Sequence, residues 1–62
     1  MQDTIRMLLR ELGREDVAGA LEMRRVLVDM FFQKINNDNF DDIDDLAALI
    51  LAVDDTVVTL GQ

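Results

Sequence analysis

Apolar positions recur at helical spacing along most of the chain, in three blocks parted by two polar breaks. In the first block Ile5, Leu8, Leu9 and Leu12 fall at i, i+3, i+4 and i+7, one face of a helix, with Gly13 where a left-handed residue ends such a segment. A helix over about 4–12 follows, with Asp3 or Thr4 as its cap. The second block predicts a helix over about 15–35, with Glu15 and Asp16 as acids of its first turn and Val17, Leu21, Val28, Phe31 and Ile35 as its main stripe. One continuous helix bent at Gly13 is the alternative. Met23, Leu27 and Met30 widen the apolar face, and Arg24 interrupts it, to set register, snorkel to the edge or pair with an acid. Gly19 costs about 1 kcal/mol relative to Ala inside a helix, which implies close packing there or a weak first turn.

The second break, Asn36 to Asn39, is built of side chains that compete with the helical backbone and tolerate turns, so 36–42 reads as an acidic loop and cap. Phe40 precedes a capping Asp41 or Asp42, in the place of a hydrophobic staple. A third helix, about 42–60, carries Ile43, Leu46, Ile50, Val53, Val57 and Leu60 at alternating spacings of 3 and 4, a heptad seam. Leu49 lies beside that seam, and Leu51 and Val58 lie on another side. A helix apolar on most of its circumference is covered on most of it. The expected fold is therefore a single all-α domain over 1–62, a short N-terminal helix plus a long helical hairpin. Two copies are expected to pair into a bundle with four long helices, or to form a higher oligomer. Leu49, Leu51 and Val58 are the expected oligomer interface, together with Phe32, whose ring points about 100° away from that of Phe31.

Composition narrows the chemistry. Half of the residues are hydrophobic and 31% are charged, with no Ser and no Pro, which fits binary-patterned helices joined by short connections. A domain of this length sits near zero in the balance of apolar burial against conformational entropy, and small domains add disulfides, metals or a partner copy. Without Cys or His the first two routes close, and no structural metal or cofactor is expected. Self-association or partner binding remains. The absence of His, Cys, Ser and Tyr also removes the usual nucleophile–base pairs, so the chain reads as non-enzymatic. The N-terminus lacks an uninterrupted apolar run, and the longest one, Leu46 to Val53, is far below the roughly 20 residues of a membrane span. A cytoplasmic protein, without membrane contact, is the expectation.

Charge gives the strongest polarity. Residues 1–35 hold six basic and six acidic side chains, whereas 36–62 hold seven Asp and no base, so the whole net charge of −7 lies in the C-terminal part. Asp38, Asp41, Asp42, Asp44 and Asp45 crowd one loop–helix junction. Capping and the helix macrodipole account for two or three of these acids. An EF-hand does not fit: in a loop begun at Asn37, Asp42 takes the glycine position and Ala48 stands where the bidentate Glu belongs. The remaining reading is a partner-binding surface for a basic protein, with the acids steering and selecting. Arg6, Arg10 and Arg14 recur at i, i+4 and i+8 as a candidate anion-binding stripe. Overall acidity opposes nucleic-acid binding, and the helix after the Leu12–Ala18 stretch is apolar and acidic where a recognition helix is basic or polar. Met7, Met23 and Met30, with Met1, are read as core filling before they are read as an adaptable binding surface.

The function this suggests is a small acidic regulator or inhibitor acting by stoichiometric contact, of the type phages and mobile elements encode, competing for a basic surface that otherwise binds nucleic acid. Its alternatives are a homo-oligomeric assembly module built on the third helix, and an oligomer that captures a nucleotide or other anionic ligand through Arg6, Arg10 and Arg14.

Overall fold

The computed structural model describes residues 2–62, and these form three helices and no strand: α1 Gln2–Glu11, α2 Val17–Asn36 and α3 Ile43–Leu60. What ends α1 is Gly13, in the left-handed region at φ 71. There the Gly13 N–H donates to the Arg10 carbonyl at 3.0 Å and the Arg14 N–H to the Leu9 carbonyl at 2.8 Å, the paired bonds of a Schellman motif. The two N-terminal helices are thus separate. At its other end α1 already includes Asp3 in its first turn, so the expected cap by Asp3 or Thr4 is replaced by a favourable charge–dipole placement. The preceding position, Met1, lies outside the described residues.

The start of α2 also differs from expectation, by two residues. Asp16 does not occupy the first turn; it caps the helix from extended backbone (φ −141), its carboxylate accepting the Gly19 N–H at 2.6 Å. Glu15 stays in the junction and pairs with α1. Gly19 has a packing reason: a Cβ there would stand 2.2 Å from the Arg14 carbonyl oxygen and 2.8 Å from the Arg14 Cβ. The junction lies directly on the first turn of α2. Gly19→Ala gains about 1 kcal/mol of helix propensity but forces the junction to move, and overpacking of that kind costs about 1–3 kcal/mol. A melting midpoint lowered by roughly 5–10 °C is expected in thermal denaturation followed by circular dichroism, and a raised midpoint would show the contact to be unimportant.

At the far end of α2 the same closing bonds recur with Asp38 in glycine's place. Asp38, at φ 54, donates its N–H to Ile35 O at 3.1 Å, and Asn39 donates to Lys34 O at 2.8 Å. A left-handed conformation disfavours a side chain, and a carboxylate at a helix C-terminus opposes the macrodipole. Asp38→Gly is expected to stabilise the domain by about 1 kcal/mol after its own entropic cost, visible as a midpoint raised by several degrees. No rise would mean that the side chain carries a compensating contact.

Helix α3 begins less regularly than its sequence implies. Asp42 occupies the cap position, but its backbone is left-handed (φ 59) and its side chain makes no capping bond. Phe40 is 60% exposed, so the expected staple does not form. The loop is held instead by the Asp41 N–H donating to Asn39 Oδ1 and by Lys34 Nζ donating to the Asp41 carbonyl, both at 3.1 Å.

Ile5 and Leu9 of α1, Ala20 of α2 and Val53 of α3 form the buried core, with Met23, Leu27, Leu49, Ala52, Val57 and Leu60 partly buried against it. The α3 seam faces inward as predicted, each of its six positions being buried or half-buried. Thr56 is fully buried beside it, its hydroxyl donating to the Ala52 carbonyl at 2.9 Å. On α2 the stripe is rotated. Ala20, Met23, Leu27 and Phe31 turn inward, while Leu21 and Ile35 of the expected stripe are exposed. Ala20 lets the chain approach closely where Leu21 would hold it off. Arg24 lies at the α2–α3 boundary and donates to Asp54 Oδ1 at 2.5 Å, the ion-pair role among the three foreseen for it. Helix α1 rests on α3 and leaves an open groove of roughly 480 Å³ against α2, lined chiefly by Leu9, Leu12, Met23, Val26 and Leu27.

Candidate interaction surfaces

The acidic junction forms one tip of a molecule 36 Å long. All five carboxylate residues, Asp38, Asp41, Asp42, Asp44 and Asp45, are exposed. Among the described residues none of the five takes part in an ion pair, and the nearby cation, Lys34, is engaged by a backbone carbonyl. Asp44 and Asp45 lie in the first turn of α3, where the dipole favours them. Asp38 and Asp42 sit in left-handed backbone and neither caps a helix through its side chain. Local structure thus accounts for two of the five acids. No group of acidic side chains among the described residues has the geometry to hold a metal ion.

The arginine stripe is arranged differently from its spacing. Arg6 and Arg10 both reach Glu15, at 3.6 and 3.1 Å, and Arg14 reaches Glu22 at 3.3 Å. Glu15 thus gathers two of the three guanidinium groups onto the α1–α2 junction, and each of the three faces a carboxylate. Exposed pairs of this kind contribute little to stability, about 0–1 kcal/mol, and two carboxylates offset all but one of the stripe's three positive charges.

The apolar residues expected at an oligomer interface separate into two groups. Leu49 is partly buried against the chain's own core. Leu51, Val58 and Phe32 are 66%, 60% and 59% exposed. Phe31 is half-buried and meets the Phe32 ring edge-on at 6.2 Å between centroids, so one ring packs inward and the other outward. Of the methionines, Met23 packs on the core, while Met7 and Met30 are exposed and fill no core; Met1 lies outside the described residues. Of the groove residues, Leu12 belongs to the apolar face expected of α1 but is 70% exposed, as Leu8 is at 47%, so only Ile5 and Leu9 of that face are buried. Val26 lies outside the expected stripe of α2, and its signal was the width of that helix's apolar face, which a single buried stripe cannot use up.

No helix among the described residues is long and apolar enough to cross a membrane. No protein-family model matches the chain, no curated protein matches it in sequence, and no solved structure matches it.

Proposed function

We propose that the protein is a small acidic regulator that acts by stoichiometric contact, docking the 38–45 tip on a basic surface of another protein. The observation that carries this is the set of five exposed carboxylates, unpaired among the described residues, on a tip whose backbone explains only two of them. Crowded like charges oppose folding, and their potential steers association with a positively charged partner. A basic surface of that kind commonly serves nucleic acid, so occupation by the acidic tip excludes the nucleic acid. The chain's shortage of nucleophiles and bases fits an agent that works by occupancy. Anion capture by Arg6, Arg10 and Arg14 is the weaker reading, since Glu15 and Glu22 already offset all but one of their three charges.

Immobilised protein should capture a basic partner from a lysate at low ionic strength and release it as salt rises, because exposed charges are screened beyond about 8 Å in physiological salt. Addition of competing double-stranded DNA should release the same partner. Capture that is indifferent to both salt and DNA would contradict docking through the tip.

A further inference from the structure

We draw no further inference here: the strongest candidate, the open apolar groove between α1 and α2 lined by Leu12, Met23 and Val26, carries nothing because nothing in the structure shows what covers it.

Discussion

Leu9→Ala is expected to remove most of the stability of this domain. Leu9 is 1% exposed and, with Ile5, is one of two buried apolar side chains by which α1 joins the core. Truncating a buried Leu to Ala costs about 2–5 kcal/mol, from lost transfer energy and the cavity left behind. A chain of this length has in total about 3–9 kcal/mol of stability, at 0.05–0.15 kcal/mol per residue. The variant should therefore melt at least about 10–15 °C lower, or be unfolded at room temperature. Leu8→Ala on the same helix supplies the contrast. Leu8 is 47% exposed, so its truncation should cost much less. Equal losses from the two variants, by chemical denaturation, would show that α1 is not seated as described.

Replacing Asp41, Asp42, Asp44 and Asp45 with Asn should have the largest functional effect while leaving the fold in place. None of the four forms an ion pair among the described residues, and Asp42 makes no capping bond with its side chain. The loss of two first-turn charges at α3 costs about 0.3–1 kcal/mol each, offset in part by relief of repulsion within the cluster. Thermal stability should move by no more than a few degrees, and partner capture at low salt should fall at least tenfold. Unfolding of this variant would mean that the acids serve the start of α3, and that the tip is a structural feature first.

The sequence made some parts of this molecule legible and hid others for physical reasons. On α3, Ile43 to Leu60 share one phase, and a single phase has one way to face a core, so the inward seam could be read directly. On α2 apolar side chains surround more than half of the helix, and hydrophobicity could not choose among phases. What decided was size. Gly19 and Ala20 allow the Arg14 backbone and the core to approach, and a stripe drawn through the large residues Leu21 and Ile35 misses that. Gly13 was legible because a left-handed helix stop favours glycine, whereas Asp38 and Asp42 adopt the same backbone region with a residue that also suits caps and loops. The acidic cluster was plain from composition. Its lack of ion pairs was not, since the destinations of Lys34 and of the arginines depend on how the chain folds back on itself.

Position must be separated from total charge, and one comparison does so. The tip variant, Asp41, Asp42, Asp44 and Asp45 to Asn, changes the net charge from −7 to −3 (−7 + 4). A matched variant, Asp3→Asn, Glu11→Gln, Asp29→Asn and Asp55→Asn, makes the same change away from the tip. Binding of the partner captured at low salt is then measured for both by titration calorimetry in one buffer. Docking through the tip predicts that the first variant loses binding at least tenfold and that the second stays within about twofold of the wild type. Equal losses would show that only net charge matters, and would contradict the assignment of the 38–45 tip as the contact surface.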